Sequence, residues 1–182
     1  NGLIAIKIKN DDKLIWCKPS SGSDQIVLIT SNGQAIRFLE KEVRDMGRNA
    51  SGVRGIKLKG KDLVVGMGIV KTDKSLKFNY QILTIMEKGY GKRTDLNLYK
   101  TQGRGGSGIR TAKVSDKSGQ ISNAFVFNKE MMEGKDIIII SDKGQVIRVP
   151  FKSVNQLGRD TQGVKIMRFK DEGDCVAGVT YA

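Results

Sequence analysis

The chain contains no histidine. That removes the usual general base at neutral pH and the commonest metal ligand. Its two cysteines, Cys17 and Cys175, form no Cys-x-x-Cys pair, so a zinc site is not indicated and both read as reduced thiols. The two prolines, Pro19 and Pro150, fall at the edges of expected strands, where a missing N–H does least harm. Aromatic residues make up 6% of the sequence. Trp16, Tyr80, Tyr90, Tyr99, Phe125, Phe127, Phe151 and Phe169 are scattered in strand-like contexts and read as core. Without a row of exposed rings, single-stranded nucleic acid is a poorer ligand than duplex. No apolar run approaches the roughly 18 residues a membrane span needs, and no signal peptide is present. The carboxylates Asp11-Asp12 and Asp171-Glu172 sit in expected turns, and no acidic cluster suits Mg²⁺. No catalytic constellation emerges.

What the chain does have is positive charge and a repeat. Its 182 residues carry a formal net charge of +13. The excess is spread along the sequence rather than gathered in a tail, which points to a polyanionic partner, nucleic acid first. Three copies share one skeleton: a Gly, an Arg four residues on, a Gly-Arg pair and a further Gly. These are Gly33, Arg37, Gly47-Arg48 and Gly52; Gly89, Arg93, Gly103-Arg104 and Gly108; and Gly144, Arg148, Gly158-Arg159 and Gly163. Residues 2–8 line up with 52–58, so the chain reads as a fragment that starts part-way through a repeat, with more repeats upstream. The division expected is 1–24 as the end of a preceding unit, then 25–79, 80–134 and 135–182. Repeats of this period mean stacked or radially arranged units.

Each copy reads as four strands and almost no helix. A β-branched run (26–29, 82–85, 137–140) meets a Gly turn, and a return strand follows. A connection with one apolar anchor (Val43, Tyr99, Val154) leads to a Gly-rich loop. Third strands are expected at 53–58, 109–114 and 164–169, and fourth strands at 63–67, 121–127 and 175–180. Short linkers are expected at 19–24, 71–79 and 128–135. Four strands per roughly 55 residues describe an all-β, propeller-like array of blades.

Four basic positions recur: Arg37, Arg93 and Arg148; Arg48, Arg104 and Arg159; Arg54, Arg110 and Lys165; and Lys57, Lys113 and Arg168. Lys92 accompanies Arg93. Solvation alone would accept Glu, Gln or Ser at such places. A belt of cations along equivalent positions suits a bent DNA backbone, so these residues are the candidate DNA contacts. The glycines of the loops serve as turns, or let consecutive backbone N–H groups approach phosphate.

Several strings together resemble the C-terminal domain of DNA gyrase A subunits: "GLIAIKI" at 2–8, "ITSNGQAIRF" at 29–38, "MGRNASGVRGIKL" at 46–58, "EKGYGKRT" at 87–94, "QGRGGSGI" at 102–109 and "LGRDTQGVKIMR" at 157–168. The resemblance implies a β-pinwheel, in which neighbouring blades exchange a strand, and a rim that wraps duplex DNA with positive handedness to support ATP-dependent negative supercoiling. It implies a bacterial, cytoplasmic, nucleoid-associated enzyme that combines two A and two B subunits, with no membrane partner. The catalytic tyrosine, the Mg²⁺ site and the ATPase site lie elsewhere in such enzymes, so it assigns no catalytic residue, metal or cofactor here. The family's box, Gln-Arg-Arg-Gly-Gly-Lys-Gly, has its nearest counterpart in Gln102-Gly103-Arg104-Gly105-Gly106-Ser107-Gly108. Gly103 replaces the first Arg and Ser107 the Lys. The alternatives are the corresponding domain of topoisomerase IV, from its A-type chain, and a propeller-like scaffold for acidic proteins.

Overall fold

Three hairpins form where each β-branched run meets its glycine. In the computed structural model, which describes residues 2–9, 12–72 and 79–182, β1 (Gln25–Thr30) turns into β2 (Gln34–Leu39), and β3 (Val64–Val70) pairs on the far side of β1. The second copy repeats this with β4 (Tyr80–Met86), β5 (Tyr90–Asp95) and, after the short β6 (Ile109–Arg110), β7 (Ile121–Asn128). The third gives β8 (Asp136–Ser141), β9 (Val146–Pro150), the short β10 (Val164–Lys165) and β11 (Val176–Tyr181). All pairings between these strands are antiparallel. Among the described residues there is no α-helix, only 3-10 turns such as Leu96–Leu98 and Phe151–Ser153.

The sheets cross the repeat boundaries. Their strand orders are β3-β1-β2-β6, β10-β5-β4-β7 and β11-β8-β9. β6, from the second copy, closes the edge of β2, with Ala35 opposite Ile109. β10, from the third, closes β5, with Gly91 opposite Val164. This is the strand exchange that the resemblance implied. Each copy therefore contributes three long strands to its own sheet, and the second and third also give one short strand to the preceding sheet, rather than four to their own. The third sheet has three strands, because no described segment follows to close β9.

The exchanged strands are shorter than expected. Pairing stops at Arg110 and Lys165 because the partner hairpins end there. The next two N–H groups of each segment donate to a single carbonyl, Thr111 and Ala112 to Gly33 and Ile166 and Met167 to Gly89. The strand expected at 53–58 is absent. No described hairpin precedes it to offer an edge, and its backbone is held by a loop instead. The linker expected at 71–79 lies largely outside the described residues, as do Asn1, Asn10 and Asp11.

The core is shared in the same way. β4 is buried along its whole length. Strand alternation sends Tyr80, Ile82 and Met86 into one cluster with Val27, Ile29 and Leu96, and Leu83 and Ile85 into another with Ile137, Ile139 and Phe151. A central strand covered on both faces reads as a continuous apolar run. Tyr99 and Val154, two of the expected anchors, are buried; Val43 is half-buried. Of the rings read as core, Tyr80, Tyr99 and Phe151 are buried, whereas Trp16, Tyr90, Phe125, Phe127 and Phe169 are half-buried.

Glycine is required where one blade crosses another. Gly89 has φ +75°, and a Cβ there would lie 2.3 Å from the Met167 carbonyl oxygen of the exchanged segment. Gly173 has nearly the same φ, +74°, with open space around it. Left-handed backbone costs an L-residue about 1–2 kcal/mol. Gly173→Ala is therefore expected to lose about that much in urea unfolding, and Gly89→Ala distinctly more, since a backbone collision is added. Equal losses would show that the exchanged segment moves aside freely.

Candidate nucleic-acid interface

The first basic position faces the neighbouring blade. Arg37 donates from Nη1 to the carbonyls of Leu96 (3.2 Å) and Tyr99 (3.1 Å), and from Nε to Gln25 Oε1. Arg93 repeats the arrangement, donating from Nε to Val154 O (2.7 Å), with its guanidinium 4.9 Å over the Phe151 ring. Both hold the 3-10 turn that carries the next copy's anchor. Arg148 stands in the equivalent place but is exposed and pairs with Asp136 at 2.6 Å.

The Gly-rich loops are also committed inward. In the loop of residues 102–108, Gln102 N donates to Arg37 O (2.7 Å), Arg104 N to Glu42 Oε2 (2.7 Å) and Gly105 N to Gly55 O (2.8 Å). Gly106 O accepts from Lys57 N at 2.8 Å. The Arg104 guanidinium donates to Glu42 O (3.0 Å) and Arg54 O (2.6 Å). Arg159 does the same one copy later, to Arg110 O at 3.0 Å. These N–H groups, expected as a possible phosphate cradle, instead hold the preceding copy. At Gly108 two backbones touch, and a Cβ would lie 2.5 Å from Ala35 O.

Lys92 is buried. It replaces the apolar Ile36 and Ile147 of the other copies, and its ammonium lies among Gly158 O (2.7 Å), Arg159 O (2.6 Å) and Thr161 Oγ1 (3.0 Å). Burial pulls its pKa down to about 8, against the opposing pull of Asp160. Its place inside the junction removes it from direct DNA contact.

The remaining candidates face outward. Arg48 is exposed on its loop. Arg54 and Lys57, Arg110 and Lys113, and Lys165 and Arg168 form three exposed pairs at equivalent places in the copies, the last two on the exchanged segments. Their backbones are held on the inner side: Lys57 N donates to Gly106 O and the equivalent Lys113 N to Thr161 O, as Lys7 N does to Ala50 O at the start of the chain, whereas the third segment is held by Ile166 N and Met167 N on Gly89 O. From there Arg54, Lys57, Lys113 and Arg168 are exposed to solvent, while Lys165 donates to Lys88 O at 2.7 Å. Arg110 is neutralised by Asp160, at 3.0 and 3.1 Å. Among the described residues no group of three acidic or thiol side chains could hold a metal ion, and no helix is long and apolar enough to cross a membrane.

The family model described as the DNA gyrase C-terminal domain, beta-propeller, matches residues 1–21, 24–71, 81–128 and 135–179. The chain belongs to that family. Similar proteins include the gyrase A protein of Ureaplasma parvum, 38% identical over 94% of this chain and 19% of that protein, and its counterpart in Haloquadratum walsbyi, 38% identical over 98% and 20%. The chain thus spans about a fifth of the curated relatives it matches. A solved gyrase A C-terminal domain superposes with a TM-score of 0.77 at 25% identity, covering 98% of this chain and 57% of that one. The C-terminal domain of a DNA topoisomerase IV superposes with a TM-score of 0.85 at 22% identity, covering 97% and 52%, a likeness of fold.

Tyr90, read from the sequence as core, is half-buried, and Lys117, which the repeat pattern left unmarked, is exposed beside it, 5.8 Å from the ring centre. The available signal was that Tyr90 occupies the place of Gln34 and Gln145 in the other copies.

Two consequences can be measured. Arg37→Met leaves buried carbonyls without a donor and should cost about 1–3 kcal/mol in urea unfolding. Arg148→Met, whose ion pair is exposed, should change stability by under about 1 kcal/mol. The second concerns Lys92. With its pKa lowered from 10.5 to about 8, the unfolded chain binds more protons between those values, so the cost of burying the charge is present below pH 8 and relieved as the pH rises toward 10.5. The stability of the unmodified chain relative to Lys92→Met should therefore rise between pH 7.5 and pH 9.5. A flat difference would mean that the ammonium is not desolvated.

Proposed function

We propose that this chain is a non-catalytic, DNA-wrapping segment of a bacterial type IIA topoisomerase, from the A chain of an enzyme of the gyrase kind. Duplex DNA follows the rim formed by the exchanged segments. The observation that carries this reading is that three equivalent segments of the repeat each present an exposed pair of cations: Arg54 and Lys57, Arg110 and Lys113, Lys165 and Arg168. A periodic array of cations without a base-reading element suits contact with phosphates rather than with sequence. The net charge of +13 favours rapid, salt-sensitive capture.

In this reading the segment acts within a cytoplasmic holoenzyme of two A and two B subunits, with ATP and Mg²⁺ used elsewhere in the assembly. Residues 1–24 close a preceding blade, and 25–79, 80–134 and 135–182 are successive repeats. The gyrase A relatives at 38% identity favour gyrase over topoisomerase IV. The better superposition on a topoisomerase IV domain keeps that second reading in view.

The test is the topology of a relaxed plasmid closed in the presence of this chain at low and high salt. A shift toward positive linking number that disappears at high salt is expected. Salt-sensitive binding without a shift would favour the topoisomerase IV reading. Binding of an acidic protein with no affinity for DNA would replace wrapping by the scaffold role. In equilibrium titrations, the exposed cations without a carboxylate partner, Arg48, Arg54, Lys57, Lys113, Lys165 and Arg168, set a log K against log[salt] slope of about −5. Asp160→Asn, which frees Arg110, should raise affinity and steepen that slope by about 1. Arg104→Ala should lower stability and leave the slope unchanged, because its guanidinium is held by carbonyls. The opposite pair of results would place Arg104 on phosphate and Arg110 off it.

A further inference from the structure

The two strand-exchange junctions differ at the facing pair next to the hairpin turn. In the first, Gln34 lies opposite Arg110 across the ladder; in the second, Tyr90 lies opposite Lys165. Arg110 is neutralised by Asp160. Lys165 has no carboxylate partner among the described residues. Its ammonium donates to Lys88 O at 2.7 Å and sits 4.7 Å from the centre of the Tyr90 ring. A second ammonium, that of Lys117, lies 5.8 Å from the same ring. Neither the Tyr90 hydroxyl nor the Lys117 ammonium has a hydrogen-bond partner among the described residues.

Lys117 is delivered by a rigid turn. Ser115 and Gly119 form a β-bridge, and both Ser118 N and Gly119 N donate to Ser115 O. The fully buried Ser118 hydroxyl accepts from Ser115 N at 3.1 Å. Lys88 Nζ donates to Asp116 O and ties the turn to the hairpin that carries Tyr90. The nearby carboxylates are Asp116, exposed, and Glu87, which accepts from Gln120 N at 2.8 Å. Against them stand Lys88, Lys117 and Lys165. Attraction of an ammonium to an exposed ring is worth only about 0.5–1 kcal/mol, and two such ions beside one ring repel each other. An anion accepting from both, and from a tyrosine hydroxyl, would satisfy all three groups. A phosphodiester has that chemistry, and Tyr hydroxyls are among the usual phosphate donors on DNA.

We propose that Tyr90, Lys117 and Lys165 form a seat for one phosphodiester of the bound duplex, making the second junction the firmer grip on the rim. The Tyr90 hydroxyl donates to a phosphate oxygen, the ring lies against the adjoining sugar, and the two ammonium groups supply the charge. The assignment rests on the DNA-wrapping reading above.

The test is fluorescence anisotropy of a labelled mixed-sequence duplex over a salt series, with the chain carrying Tyr90→Gln, Tyr90→Phe or Lys117→Ala. Tyr90→Gln installs the residue that the other two copies carry, and urea unfolding checks its fold. Loss of a hydrogen bond to a charged group should weaken binding about 10-fold without altering the salt slope. Tyr90→Phe should fall between, and Lys117→Ala should lower the slope by about 1. If Tyr90→Gln unfolds early, Tyr90→Phe and Lys117→Ala decide. Salt-dependent binding by the unmodified chain with all variants unchanged overturns the seat and leaves wrapping intact. No salt-dependent binding by the unmodified chain overturns wrapping, and the seat with it.

Discussion

The edge of a two-stranded hairpin must find hydrogen-bond partners, and here they come from the next copy of the repeat. β2 and β5 each gain a short partner strand, after which one glycine carbonyl, Gly33 or Gly89, takes two more N–H groups. A backbone edge left open would be costly where buried and sticky where exposed. Because the remedy comes from a neighbour, no copy is complete alone. The apolar cores obey the same rule, since β4 serves one cluster with each face. Stability in such an array resides in the junctions as much as in the units.

The cations divide according to that constraint. A guanidinium has several donors in a rigid fork and stays charged when partly desolvated. Arg37, Arg93, Arg104 and Arg159 use this to bind carbonyls in the adjacent copy, and Lys92 does so with an ammonium. These bonds position the exchanged segments, whose own basic side chains then point outward. The inner cations thus build the platform and the outer ones make it attractive to a polyanion. Such a division separates the cations that hold the copies together from those left at the surface.

The copies are not equivalent in detail. The second junction has Lys92 where the others have Ile36 and Ile147, and Tyr90 where they have Gln34 and Gln145. The first has an Arg110 cancelled by Asp160. The third hairpin places Asp136 where Gln25 and Gln81 stand, which gives Arg148 an ion pair. Surfaces built from one repeat therefore differ in charge and hydrogen bonding from copy to copy.

The hairpins, their glycines, the repeat period and the strand positions could be read from the residues, because period-2 alternation and positive-φ turns are local properties. Residues 26–29, 82–85 and 137–140 all became strands. Charge alone also pointed to a polyanion. The destination of each cation was not local. Arg37 and Arg54 both look like a basic residue between apolar ones, yet Arg37 reaches a carbonyl at Tyr99, 62 residues away, whereas Arg54 faces solvent. The strand expected at 53–58 failed for the same reason, since pairing needs an edge from elsewhere. Sequence by itself determined the repeating unit and its charge. The tertiary structure decided which charges are free, because hydrogen-bond acceptors in one copy are positioned by the fold of the next.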